Sequence, residues 1–125
     1  MDILIDNNKV FSLDTGEKFD PNKDSIILLH GSGQSHVVWS LTDQYLSDQG
    51  YNVFALDLPG HGNSEGDSLN SIEEMAEWLE KVVTKIGINN LSILGHSQGC
   101  LVALEYINKF PKKINICWWI LQNPS

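Results

Sequence analysis

Leu91-Ser92-Ile93-Leu94-Gly95-His96-Ser97-Gln98-Gly99 is the stretch that decides how this chain folds. Its opening apolar run suits a strand buried on both faces, and an apolar helical segment follows from about Gln98 to Phe110, ended by Pro111. A serine at such a strand-to-helix junction sits on a sharp, strained turn that lifts its hydroxyl above the sheet edge. The flanking Gly95 and Gly99 leave room for the turn and for close helix packing.

The same alternation continues outward in both directions. Ile26-Ile27-Leu28-Leu29 is a second buried run, and it stops at the Gly-rich loop His30-Gly31-Ser32-Gly33. The pattern predicts a helix from about Val37 to Asp48, stopped by Gly50, and then a strand at Val53-Phe54-Ala55-Leu56. Asp57 to Gly66 is a long Pro- and Gly-bearing loop. Ser71 followed by Glu74 forms a capping box, and Ile72, Met75, Ala76, Leu79, Val82, Val83 and Ile86 repeat along one helical face up to Gly87. Ile114 to Leu121 predicts one more strand. Near the N-terminus, Ile3–Ile5 and Lys9–Leu13 predict an antiparallel hairpin or meander, followed by turn chemistry at Asp14-Thr15-Gly16. The expected class is α/β with a mainly parallel sheet, and residues 1–125 form a single domain portion.

Composition narrows the function classes. At 125 residues the chain fills at most one domain of about 100–200 residues, and 42% hydrophobic with 19% charged residues suits a globular fold. Sixteen acids face eight bases, all of them Lys, so nucleic acid is not an expected partner. The longest apolar run, Ile116 to Leu121, falls short of the roughly 20 residues of a membrane helix. The acidic N-terminus lacks the layout of a signal peptide, so no membrane span and a cytoplasmic location are expected. Cys100 and Cys117 stand in apolar stretches without CxxC spacing and are read as buried thiols. The cysteine spacing suggests no zinc site, and with neither a GxGxxG nor a GKS/GKT loop after the strand a nucleotide-phosphate loop has little support, so no metal and no cofactor are expected.

The chemistry rests on Ser97. An oxyanion formed when Ser97 attacks a carbonyl would meet the backbone N–H of Gln98 at a helix N-terminus. A second donor is expected from His30-Gly31-Ser32-Gly33-Gln34, with the Ser32 amide preferred and Gly33 next.

Three motifs in order carry a resemblance: His30-Gly31-Ser32-Gly33 with Trp39 downstream, Asp57-Leu58-Pro59-Gly60-His61-Gly62-Asn63-Ser64, and Gly95-His96-Ser97-Gln98-Gly99. Together they resemble the α/β-hydrolase fold family from about Ile3 to Leu121. The resemblance implies a three-layer α/β sandwich carried to about strand six, and a serine nucleophile that cleaves an ester or related acyl bond of a small molecule through an acyl-Ser97 intermediate. It implies that Gly31 and His30 shape the oxyanion loop, that Gly95, Gly99 and His61 are structural, and that Asp57 caps a turn. A serine at the elbow is unlike the aspartate-nucleophile branches, the haloalkane dehalogenases and epoxide hydrolases. Gly62 to Gly66 looks somewhat like monoacylglycerol lipases and lysophospholipases.

The family orders its triad Ser, acid, His along the chain. After Ser97 the sequence offers only Glu105, inside the following helix, and no His follows His96. The resemblance therefore implies the N-terminal half of a longer domain. A competing reading is a catalytically silent module that holds a small apolar ligand. His30 is expected to position the oxyanion loop by hydrogen bonding, and His96 to point away from Ser97. Trp39 and Trp78 are expected to pack, and Glu73, Glu74, Glu77 and Glu80 to form a solvated face. With the Ile114–Leu121 strand at an open edge, the isolated chain is expected to be marginally stable. Oligomeric state is left open.

Overall fold

The apolar run at Ile26–Leu29 becomes β3 (Ser25–Leu29) in the middle of the sheet. It is flanked in parallel by β4 (Asn52–Leu56) and by β5 (Leu91–His96). The computed structural model describes residues 3–111 and the backbone of 2 and of 114–120. On one side β6 (Ile114–Ile120) lies parallel to β5. On the other, β1 (Asp2–Ile5) and β2 (Asn8–Leu13) form an antiparallel hairpin, and β2 pairs antiparallel with β4. The order across the six-stranded mixed sheet is β1-β2-β4-β3-β5-β6. The hairpin turns on Asp6 and Asn7 at φ 50° and 67°, the left-handed pair that matches strand twist. Leu121 and the side chain of Cys117, both named in the sequence reading, lie outside the described residues.

Helices cover both faces. α2 (Ile72–Ile86) and α3 (Gln98–Lys109) bury Met75, Ala76, Leu79, Val82, Val102, Ala103 and Tyr106 in one core with Ile27, Leu29, Leu56 and Ile93. The opposite face carries α1 (Thr42–Asp48) and a single 3-10 turn at His36–Trp39. There Trp39 packs with Leu28, Val53 and Ala55, with Leu46 and Leu94 against them. α2 begins and ends where its signals stand: Ser71 accepts from the Glu74 N–H at 3.1 Å, and Gly87 closes the helix at φ 88°.

Two expectations need correction. The helix predicted over Val37–Asp48 is broken, because Leu41 sits at φ 74° between the 3-10 turn and α1. Local bonds compete with the helix here. Ser40 Oγ donates to Val37 O at 2.8 Å, and Asp57 Oδ1 captures the His36 N–H at 2.6 Å, while Trp39 is drawn into the core. Glu80 is more than a solvated acid, since it accepts from the hydroxyl of fully buried Tyr106 at 2.9 Å. Burial is the main cause that pushes the Tyr106 hydroxyl above its ordinary range, and Glu80 adds to it.

Candidate active site

Ser97 joins β5 to α3 at φ 56° and ψ −119°, a backbone conformation that non-glycine residues avoid. The residue is exposed, and its Oγ makes no hydrogen bond among the described residues. Packing explains both flanking glycines. A Cβ on Gly95 would lie 2.5 Å from the carbonyl of Gly99, and a Cβ on Gly99 would lie 2.2 Å from Leu29 O. The start of α3 therefore rests on the ends of β3 and β5, with Ser97 at the crest.

The loop after β3 comes directly against this crest. A Cβ on Gly31 would lie 3.0 Å from the Ser97 Cβ and 3.2 Å from His96 O. The loop amides divide cleanly. Gly31 N–H donates to Gln34 Oε1 at 2.8 Å, Gly33 N–H to His61 Nε2 at 3.2 Å, and Gln34 N–H to Gly31 O at 3.1 Å. Ser32 N–H and Gln98 N–H have no partner among the described residues. Of the candidate donors, Gly31 and Gly33 are committed, whereas the Ser32 and Gln98 amides are unbonded among the described residues.

Two of the four histidines are spoken for as well. His30 is fully buried: its Nε2 accepts from Leu58 N–H at 3.0 Å, so its Nδ1 carries the proton and donates to Gly31 O at 2.7 Å. His61 follows the same logic, with Nε2 accepting from Gly33 and Nδ1 donating to Pro59 O at 3.0 Å. Both rings brace the loop, and neither has a nitrogen left for Ser97. Glu105 stands about 12 Å of helix rise beyond Ser97 and bonds Asn108.

Three residues had no role of their own in the sequence reading. Gln34 Oε1 lies 3.0 Å from His96 Nδ1 besides accepting from Gly31. His36 places Nδ1 2.9 Å from Asp57 Oδ2 and packs on Phe11 with ring centroids 4.9 Å apart. Ser64 ties the second loop to the sheet, accepting from Phe11 N–H and donating to Asp57 O at 2.6 Å. No periodicity announces any of them, because each acts through a partner far away in sequence. Among the described residues no cluster of side chains could hold a metal ion, and no helix is long and apolar enough to cross a membrane.

Desolvation is the main cause holding the His30 imidazole below its ordinary pKa, opposed by its bond to Gly31 O. The folded chain thus keeps His30 neutral while the unfolded chain protonates it below pH 6.5. Stability from this site is complete above that value and falls as the pH drops, by up to about 1.4 kcal/mol per pH unit. Urea titrations at pH 7.5 and 5.5 should show the loss. In His30→Gln the difference between the two pH values should shrink; an unchanged difference would assign the loss elsewhere.

A family model described as alpha/beta hydrolase fold matches residues 24–122. Among curated proteins, an abhydrolase domain-containing protein, abhd-5.2 of Caenorhabditis elegans, is 33% identical over 94 residues, covering 71% of this chain and 21% of its own length. A probable lysophospholipase of Arabidopsis thaliana, BODYGUARD 2, is 34% identical over 101 residues, covering 74% and 21%. The chain thus spans about a fifth of these two relatives. Among solved structures, a carboxylesterase of Nitrososphaera gargenis superposes with a TM-score of 0.84 at 20% identity, over 98% of this chain and 46% of its own. A membrane phospholipase A superposes with a TM-score of 0.84 at 25% identity, over 100% and 40%.

Proposed function

Because this chain belongs to the α/β-hydrolase fold family, we propose that it is the nucleophile-bearing part of a serine hydrolase acting on a carboxylic ester or related acyl bond. The observation that carries this reading is the strained, exposed Ser97 at the elbow, against a loop in which the Ser32 N–H, like the Gln98 N–H, has no partner among the described residues. In the proposed reaction Ser97 Oγ attacks the carbonyl carbon, and the tetrahedral oxyanion is held by those two amides. Collapse breaks the bond to the leaving alcohol, leaving acyl-Ser97, and water then releases the acid. The Ser97 proton needs a histidine base. His30 and His61 have both ring nitrogens engaged, and the order the family uses, Ser then acid then His, puts the base after Ser97, where residues 98–125 hold no His, so the base and its acid are assigned outside these residues. Likeness to a probable lysophospholipase and to a phospholipase A makes lipid-like acyl esters the first substrates to try.

The lack of a partner for Ser97 Oγ favours, for the segment taken alone, the second reading of a silent module that holds a small apolar ligand. A fluorophosphonate probe separates the two. Applied to the natural protein that contains this segment, it should label Ser97, with Ser97→Ala blank. Residues 1–125 alone should react slower by a factor on the order of 10^6, the loss seen when a triad histidine is removed. No labelling in either form, with ligand binding intact in Ser97→Ala, would support the silent module instead.

A further inference from the structure

Gln34 sits in the loop between β3 and the 3-10 turn, and its side chain reaches both halves of the site. Gly31 N–H can only donate, so the amide oxygen of Gln34 must be the atom that faces it, at 2.8 Å. The same oxygen lies 3.0 Å from His96 Nδ1, which must therefore carry a proton. His96 immediately precedes Ser97, and Gly31 immediately precedes Ser32. One acceptor thus ties the residue before one oxyanion donor to the residue before the nucleophile.

The fit is close. A Cβ on Gly31 would come within 2.7 Å of Gln34 Oε1 and 3.0 Å of the Ser97 Cβ, so the loop rests against the elbow with no spare layer between them. On its other side Ser32 is held by Gly33, whose N–H is bonded to His61. The Ser32 amide is suspended between two anchored neighbours.

We propose that Gln34 is a positioning residue that sets the spacing between the Ser32 and Gln98 amides by clamping Gly31 to His96. This rests on the hydrolase reading of Ser97. Gln34 does not touch the reacting atoms; it acts through Gly31. Removing an oxyanion donor outright costs about 10^2–10^3-fold in rate, and letting one drift should cost about 10- to 100-fold.

Three measurements test the clamp in the parent, in Gln34→Leu, which cannot accept a hydrogen bond, and in Gln34→Glu, which can accept from both partners. Histidine 15N spectra should show His96 protonated at Nδ1 in the parent and in Gln34→Glu, with that preference lost in Gln34→Leu. The Gly31 amide should exchange at least about tenfold faster in Gln34→Leu, since its acceptor is gone. In the natural protein, the maximal rate of fluorophosphonate labelling should fall about 10- to 100-fold in Gln34→Leu at unchanged half-saturation, and Gln34→Glu should restore it. His96 protonated only at Nε2 in the parent, or a labelling rate unaltered by Gln34→Leu, would overturn the proposal. If the parent itself does not label, the hydrolase reading fails separately, and the spectra and exchange rates alone decide the clamp.

Discussion

A Gly99→Ala chain is expected to lose about 4 kcal/mol of folding stability, a large share of the roughly 5–15 kcal/mol of a typical domain. The added methyl would stand 2.2 Å from Leu29 O, 2.8 Å from Leu29 C and 2.9 Å from His30 O. All three are backbone atoms at the end of β3, so no side-chain rotation can relieve the overlap. The remaining escape is for α3 to lift off the sheet. That would loosen Val102, Ala103 and Tyr106, all fully buried, from Ile27, Leu29 and Ile93. Gly87→Ala provides the comparison. Gly87 lies at φ 88° with nothing within 4 Å of its would-be Cβ, so it carries a conformational penalty of about 1 kcal/mol and no clash. Urea unfolding followed by circular dichroism should rank Gly99→Ala well below Gly87→Ala. An equal or reversed ranking would mean that the junction of β3 and α3 is not the tight contact described here.

That contrast also explains what could be read from the sequence. Gly95 and Gly99 were legible because a serine between two glycines at the end of an apolar run has few structural uses. β3, β4 and β5 were legible because strands buried on both faces leave unbroken apolar runs, and α2 because Ser71 and Gly87 bracket a repeating apolar face. The break at Leu41 was not legible. It depends on Trp39 entering the core beneath β3 and β4 and on Asp57 capturing the His36 amide, both of which require the sheet to be assembled first. The site divides the same way. Ser97 and the Gly-rich loop could be named from local pattern. Gln34 could not, since a glutamine among Gly and Ser residues looks like solvent-facing loop until His96, 62 positions later, is brought beside it. His36 and Asp57 are 21 positions apart and meet only across the end of β4.

Asp57→Ala should be nearly as damaging as Gly99→Ala, at about 4 kcal/mol, for an electrostatic reason instead of a steric one. The carboxylate is fully buried at the end of β4. Oδ1 accepts from His36 N–H at 2.6 Å, Oδ2 accepts from Asn63 N–H at 2.8 Å, and His36 Nδ1 lies 2.9 Å from Oδ2. Gly62 packs so closely that its own Cβ would sit on the carboxylate, 2.2 Å from Oδ2. Removing the group leaves two part-buried backbone donors without their acceptor, and each stranded donor costs about 1–3 kcal/mol. Asp57→Asn keeps the shape and one oxygen but turns an amide N–H toward a donor, so it should lose about half as much. Lys81→Gln is the fitting control: its ion pair with Asp6 is as short, 2.7 Å, but the two side chains are 54% and 69% exposed, and such pairs contribute about 0–1 kcal/mol. Urea midpoints should therefore fall in the order Lys81→Gln, Asp57→Asn, Asp57→Ala. A small loss in Asp57→Ala, comparable to that of Lys81→Gln, would show that the two loops hold their shape without the carboxylate. The expected large loss would make Asp57 the post on which both the His36 turn and the Gly60–Gly66 loop hang.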